Sequence, residues 1–312
     1  MFCRIQYIFY LKFTIEDVMK RFKKKEKSTL DSSTILKVMD LFNNKSWSID
    51  DSTNVMSRFN RFCYMLDKLN QDERELILEL SKRYITVDWG QYLGKMEEAL
   101  EMIYSDSTLG VNEESLLYIM PLIAPKDIGK IKSSTCMVYL LQGNNFNYNE
   151  KIYPENFRIT EKKDGLPPDI SSKKKNQFII LVDDFIGTGE TAEECLRDLF
   201  RKVPIREKII VLSLVAQKNG IDKIEKLGVR VFSPMVVGKG ITDYYSTTEV
   251  EQKKQVMRQI EERIKPNLVH RLGYLQSEAL VTMHKTPDNT FPIFWYESEM
   301  LRNIAPFPRR QT

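Results

Sequence analysis

Histidine is nearly missing from this sequence, with His270 and His284 the two examples in 312 residues, which leaves little room for a histidine-built metal centre or proton relay. The four cysteines, Cys3, Cys63, Cys136 and Cys195, stand far apart and form no CxxC pair. Thiolate metal-ligand spacing is therefore absent, and free thiols in a reducing cytoplasm are expected. The aromatic and apolar run over residues 2–13 is too short to span a bilayer. Arg4 and Lys12 interrupt its ends and no small-residue cleavage site follows, so it reads as a buried strand or helix edge. No membrane contact is expected. Charge of one sign is also lacking: 47 Lys and Arg stand against 43 Asp and Glu. A dedicated nucleic-acid binder gathers basic residues on one face, and nothing here points to that. No internal repeat is present.

What remains is ordinary soluble composition, 42% hydrophobic and 29% charged, in a chain long enough for a core domain plus a helical appendage. Residues up to about Ser105 read as helical. Val55, Phe59, Phe62, Leu66 and Leu69 recur at helical spacing, as do Tyr92, Met96, Ala99 and Ile103. Asn70-Gln71-Asp72 reads as a turn and cap, with Asp72 ahead of a helix over 74–84. No chemical constellation stands out in this stretch. The expected division is therefore a helical region over 1–110, for packing or partner docking, and a second domain over 111–312.

The texture changes near Leu116. Residues 117–124 form a short apolar run broken by Pro121, and a loop over 125–130 leads into a helix over 133–141. The stretch 143–177 is polar, holds Pro167-Pro168 and Lys173-Lys174-Lys175, and is expected to be exposed and mobile. Three apolar runs follow at 178–182, 209–216 and 229–237, separated by helical segments. Continuous apolar strands alternating with helices predict an α/β fold with a parallel sheet covered on both faces. A charged helix over 249–265 and an aromatic tail over 284–295 complete the pattern.

The stretch that carries chemistry runs Ile179-Ile180-Leu181-Val182-Asp183-Asp184-Phe185-Ile186-Gly187-Thr188-Gly189-Glu190-Thr191. A buried strand delivers two carboxylates at its carboxyl edge, where open α/β sheets collect ligands. A Gly-Thr-Gly loop then turns into a helix whose free N–H groups and positive dipole suit a phosphate. Thr188 and Thr191 add hydroxyl donors, while Asp183 and Asp184 can accept from a diol. Carboxylates for two hydroxyls beside an anion cradle describe a ribose 5-phosphate. Two other phosphate motifs fail: Gly129-Lys130 lacks the upstream glycine and following Ser or Thr of a P-loop, and Gly187-Thr188-Gly189 lacks the third glycine of a dinucleotide fingerprint.

This stretch resembles the phosphoribosyl-pyrophosphate (PRPP) motif of type I phosphoribosyltransferases. The resemblance implies that fold, with an added N-terminal helical region, and PRPP bound with Mg2+. It assigns Asp183 and Asp184 to the ribose hydroxyls, to catalysis and to the metal. Gly187, Thr188, Gly189, Glu190 and Thr191 would hold the 5′-phosphate. Phe185 is bulkier than usual for the motif, and Gly187 stands where Thr, Ser or Ala is more common. The resemblance also implies a pyrophosphate loop after an early strand, which points to Lys130 as a catalytic cation and to Lys126, Lys132, Ser133 and Ser134 as anion ligands. An exposed basic loop is the competing reading. Lys162, Lys163 and the Lys173–Lys175 run are candidates for a mobile catalytic loop, or else a solvated charge run. In the tail, Asn289 and Trp295 offer an amide edge and a stacking plane for an acceptor base, unless the aromatics simply pack in the core.

Taken with the helical front, the motif and tail resemble a divergent phosphoribosyltransferase-like group of bacterial defence systems, including retrons. The resemblance implies a toxic effector that transfers or removes a (phospho)ribosyl group on a nucleobase or nucleotide. It also implies restraint by a protein partner, such as a reverse transcriptase, with nucleic acid reached through that partner. A non-catalytic PRPP or nucleotide sensor, or a scaffold subunit, is the alternative.

Overall fold

The computed structural model describes residues 30–49, 57–170, 172, 176–297 and 304–309. The apolar run 2–13, Val55 and the lysines 173–175 lie outside the described residues. The chain divides into two compact units: Met1–Ile85, Gly240–Leu280 and Thr290–Thr312 form the first, and Thr86–Lys239 with Val281–Asn289 the second.

In the first unit, helices α1 (Ser32–Asn44), α2 (Arg58–Asp67) and α3 (Gln71–Lys82) each start on a capping side chain, from Asp31, Ser57 and Asn70. The α3 cap lies two residues before the expected Asp72: Asn70 accepts from Glu73 N, and Glu73 reaches back to Asn70 N. Asp72 instead occupies the first turn, where its charge complements the helix dipole. Phe59, Phe62, Leu66 and Leu69 are buried as their spacing predicts. Phe42 lies edge-on to Trp47 and Phe59 with ring centroids 5.2 Å apart, and Tyr84 stacks on Phe307 at 4.5 Å. Helix α8 (Thr247–Ile264; α4 to α7 belong to the second unit) packs on α3, with Lys253–Glu79 and Arg263–Glu73 ion pairs at 2.9 and 2.6 Å.

Two buried carboxylates organise the return segment of this unit. Glu278, wholly buried, accepts from Thr242 Oγ1 at 2.6 Å and from the Ile241 and Thr242 N–H groups, and pairs with Lys254 at 2.9 Å. Glu261 accepts from Leu272 N at 2.9 Å, and burial raises its pKa to about 7.

The second unit is built on a sheet in the order β3-β2-β4-β5-β6, every pairing parallel. Its strands are β2 (Leu116–Pro121), β3 (Phe157–Ile159), β4 (Gln177–Ile186), β5 (Ile209–Gln217) and β6 (Arg230–Phe232), with β7 (Met235–Val237) also on β5. A separate two-stranded pair joins β1 (Ile85–Thr86) to β8 (Val281–Thr282). Helix α4 (Tyr92–Ser105) packs on β5, and α5 (Ser133–Leu140) on β2 and β4. Helices α6 (Glu190–Leu199) and α7 (Lys218–Glu225) pack on each other, and α7 also on β5 and β6. Ile179, Leu181, Ile209 and Val211 meet Ala192, Cys195, Leu196 and Leu199 of α6 in one core. The alternate residues Ile180 and Val182, equally buried, face the other side of the sheet. Burial of each such side chain stabilises by about 1.5–3 kcal/mol, which is why these runs read as continuous.

Three details differ from expectation. The run 178–182 continues as strand to Ile186, so Asp183 and Asp184 sit inside β4, with Asp183 in register with Ser213. The run 229–237 divides at Ser233-Pro234, because proline lacks the N–H a ladder needs, yet the register on β5 resumes unchanged at Met235. The stretch 143–177 is not simply exposed: it supplies the edge strand β3 and buries Phe146, Ile152, Leu166 and Ile170. No helix among the described residues is long and apolar enough to cross a membrane.

Candidate functional site

Strand alternation turns consecutive side chains to opposite faces, so Asp183 and Asp184 take different partners. Ser133 Oγ, in the first turn of α5, donates to Asp183 Oδ1 at 3.1 Å, and the Asp184 N–H donates to the same oxygen at 3.0 Å. Asp184 is 7% exposed, and its Oδ2 accepts from the Tyr92 hydroxyl of α4 at 2.8 Å. That hydroxyl in turn accepts from His284 N at 3.1 Å. Loss of hydration, and then the adjacent Asp184 charge, hold Asp183 well above the usual carboxylate range. Burial, and then Asp184, also push the Tyr92 phenol far up, so it remains a donor to Asp184. Half-exposed Trp89 lies 5.0 Å from the Tyr92 ring and 5.2 Å from His284.

Beyond β4 the loop closes through glycine. Gly189, at φ 79°, adopts the left-handed conformation at the N-cap of α6, and no side chain caps that helix. Its first-turn N–H groups can therefore meet an anion. Gly187 is buried, and a Cβ there would come within 2.4 Å of the Asn289 amide. A Cβ on Gly220, in the first turn of α7, would lie 2.2 Å from Gly187 O. These glycines let loop, helix and tail meet through bare backbone. Phe185, the bulky departure from the motif, is buried in β4 opposite Val215. Thr188 is partly buried and Thr191 exposed. The Glu190 side chain is held by Lys223, which also pairs with Glu193 at 2.9 Å, so Glu190 offers an anion its backbone N–H.

The basic loop comes to the diacid through Ser133, but its lysines engage nearby carboxylates. Lys130 and Lys132 bond to the two oxygens of Asp127 at 2.7 and 2.8 Å, which holds the Asp127 pKa below its ordinary value. Lys126 pairs with Glu194 at 2.7 Å. The Lys130 side chain is 63% exposed, so it can exchange Asp127 for another anion. Ser134 is buried, and its hydroxyl meets no hydrogen-bond partner. Lys163 is tied to Asp198 of α6 at 2.6 Å, while Lys162 is exposed. Trp295 does not offer an open stacking plane: it is 3% exposed and its Nε1 donates to Thr290 O at 2.7 Å. Phe291 and Phe294 are core residues of the first unit.

Sequence reasoning missed Tyr92 and Gly220. Tyr92 stood in an apolar helical stripe, where a tyrosine reads as core. Gly220 lies in the first turn of α7, and the approach of Gly187 O and of Ile186 Cγ2 explains it.

The assembled groups can hold two hydroxyls on carboxylates and an anion on backbone N–H groups a few residues away. Among the described residues no cluster of three or more His, Cys, Asp or Glu side chains forms a metal site. A single carboxylate such as Asp183 still fits Mg2+, which binds through one or two carboxylates, waters and substrate phosphates rather than an all-protein cage.

The PRTase-CE family model matches residues 67–309, most of the chain. No curated protein matches. Among solved structures, a hypothetical protein from Neisseria gonorrhoeae with bound ppGpp is similar at 13% identity and TM-score 0.32, over 55% of this chain and 96% of that one. Xanthine-guanine-hypoxanthine phosphoribosyltransferase of Helicobacter pylori is similar at 12% identity and TM-score 0.27, over 49% and 84%. Orotate phosphoribosyltransferase of Aeropyrum pernix is similar at 16% identity and TM-score 0.26, over 47% and 71%. With its parallel sheet flanked by helices and the diacid-to-glycine-loop stretch inside the matched region, the chain belongs to the PRTase-CE family of phosphoribosyltransferase-like proteins.

Proposed function

We propose that this protein binds PRPP, or a closely related ribose 5-phosphate compound, at the end of β4 and transfers or removes a (phospho)ribosyl group on a nucleobase or nucleotide. The observation that carries the reading is the pairing of a tethered diacid with an uncapped helix N-terminus across a buried glycine loop. In transfer, the bond from ribose C1 to pyrophosphate breaks and pyrophosphate leaves with its electron pair. A bond forms from C1 to a nitrogen of a nucleobase or nucleotide, which gives up a proton. Asp183 and Asp184 hold the ribose hydroxyls, and the backbone of Gly187–Thr191 holds the 5′-phosphate. Asp183 would also face Mg2+, which neutralises the pyrophosphate when bound. Lys130 and Lys132 lie on the loop before α5, whose Ser133 meets this diacid, and all three would receive the leaving anion. The resemblance to defence effectors extends the reading to a toxic protein restrained by a partner, for which co-expression with neighbouring genes is the test.

Calorimetry with PRPP and with ribose 5-phosphate, each with and without Mg2+, tests the binding reading. Asp184→Asn should weaken binding roughly ten- to hundredfold, the worth of a charge-assisted hydrogen bond of about 1.5–3 kcal/mol. No heat at millimolar ligand removes the proposal. Isotope-labelled PRPP consumed in the presence of a base or nucleotide separates the enzyme from a sensor.

A further inference from the structure

The motif departs at Gly187, and the structure shows what takes up the vacant side-chain position. The Asn289 amide lies directly on Gly187: a Cβ there would meet Cγ and Nδ2 at 2.4 Å and Oδ1 at 2.5 Å. The glycine is not required by its own backbone, since Gly187 is absent from the residues with positive φ. The three atoms nearest to a side chain there all belong to that amide. Gly187 itself is buried, whereas Asn289 keeps part of its surface open. On its side-chain face Gly187 is therefore covered by a partly exposed amide, while its backbone stays part of the loop.

Asn289 is also held in place. It ends the excursion that begins at β8, where Val87 N donates to Thr282 O at 2.8 Å. His284 N is fixed on the Tyr92 hydroxyl, Thr286 is buried at 3% exposed, and Pro287 restricts the approach. The same short excursion thus touches both halves of the site: the diacid through Tyr92, and the phosphate loop through Asn289.

We propose that Asn289 is an anion-recognising residue of the loop, its amide N–H donating to the phosphate from the position a side chain at 187 would otherwise fill. The proposal rests on the ribose 5-phosphate reading of the site. An amide suits this place because it adds a donor beside the N-terminus of α6 without adding a fixed charge that must be desolvated before the ligand arrives. Gly187 and Asn289 then work as a pair, each forbidding a change in the other.

The test is titration calorimetry with ribose 5-phosphate and, in parallel, inorganic phosphate, on wild type, Asn289→Ala, Asn289→Asp, Gly187→Ala and the Gly187→Ala/Asn289→Ala double variant. Circular dichroism melts confirm that each variant folds. Asn289→Ala should bind both ligands about tenfold more weakly, a change equivalent to about 1.4 kcal/mol. Asn289→Asp keeps the shape but sets a carboxylate against the phosphate, and should bind more weakly still. Gly187→Ala displaces the amide and should match Asn289→Ala, with the double variant no worse than either single change. The proposal is overturned if Asn289→Asp binds like wild type, because the side chain then only fills space. It is equally overturned if the two single losses multiply in the double variant. Wild type that binds neither ligand overturns the ribose 5-phosphate reading itself, and is told apart by that failure from a defect confined to the variants.

Discussion

Replacing Tyr92 by Phe removes one oxygen and keeps the ring that α4 packs against the sheet. That oxygen donates to a buried carboxylate at 2.8 Å and accepts from His284 N at 3.1 Å. A hydrogen bond to a charged group contributes about 1.5–3 kcal/mol, and leaving a buried carboxylate oxygen without a donor adds to the cost. A loss of about 2 kcal/mol is therefore expected. For a unit of this size that corresponds to a melting point lowered by roughly 4–8 °C. The assay is thermal unfolding of wild type, Tyr92→Phe, Asp184→Asn and the double variant. With Asp184 already neutral the phenol loses its charged partner, so Tyr92→Phe should cost under about 1 kcal/mol in that background. A Tyr92→Phe protein that melts within a degree of wild type would refute the reasoning. So would one whose loss is unchanged when Asp184 is already Asn.

Glu261 makes stability depend on pH. Its ordinary pKa of 4.5 is raised to about 7 by burial, so the folded chain binds the proton more tightly than the unfolded one. The stability that Glu261 contributes is therefore full below about pH 4.5 and declines as pH rises to about 7, by about 3 kcal/mol at 1.36 kcal/mol per pH unit. Urea melts at pH 5 and pH 8 should show this fall, and Glu261→Gln should remove most of it; an equal fall in the variant rejects Glu261 as its source. Gly220→Ala drives a Cβ to 2.2 Å from Gly187 O, so it should cost about 1–3 kcal/mol and weaken ribose 5-phosphate binding while far-ultraviolet circular dichroism stays native. Wild-type binding by that variant would show that the loop tolerates displacement.

The sheet was legible because β4 and β5 are buried on both faces, and only continuous Ile, Val and Leu can meet that demand. The turn into α6 was legible too, since Gly189 supplies a backbone conformation other residues resist. Other features left no local trace. Strand β3 is three residues with Arg158 at its centre, and it becomes a strand only through pairing with β2. Tyr92 fits an apolar stripe whether or not its hydroxyl has a task. The amide of Asn289 is paired with Gly187 across about a hundred residues of chain, a distance over which pattern and propensity say nothing. The first unit collects Gly240–Leu280 and Thr290–Thr312 beside the helices of residues 30–85, an assembly that long-range packing decides.

The order in which the chain is made gives the excursion Val281–Asn289 a further consequence. Every strand of the parallel sheet, the diacid and the glycine loop leave the ribosome before His284 and Asn289 do. Until then the Tyr92 hydroxyl lacks the His284 N–H, and Gly187 lies bare. A nascent chain that has reached only Gly240–Leu280 thus carries the sheet without the Tyr92–His284 and Gly187–Asn289 contacts. Competence at this site would arrive late and all at once, with the last stroke of the chain back into its own second unit.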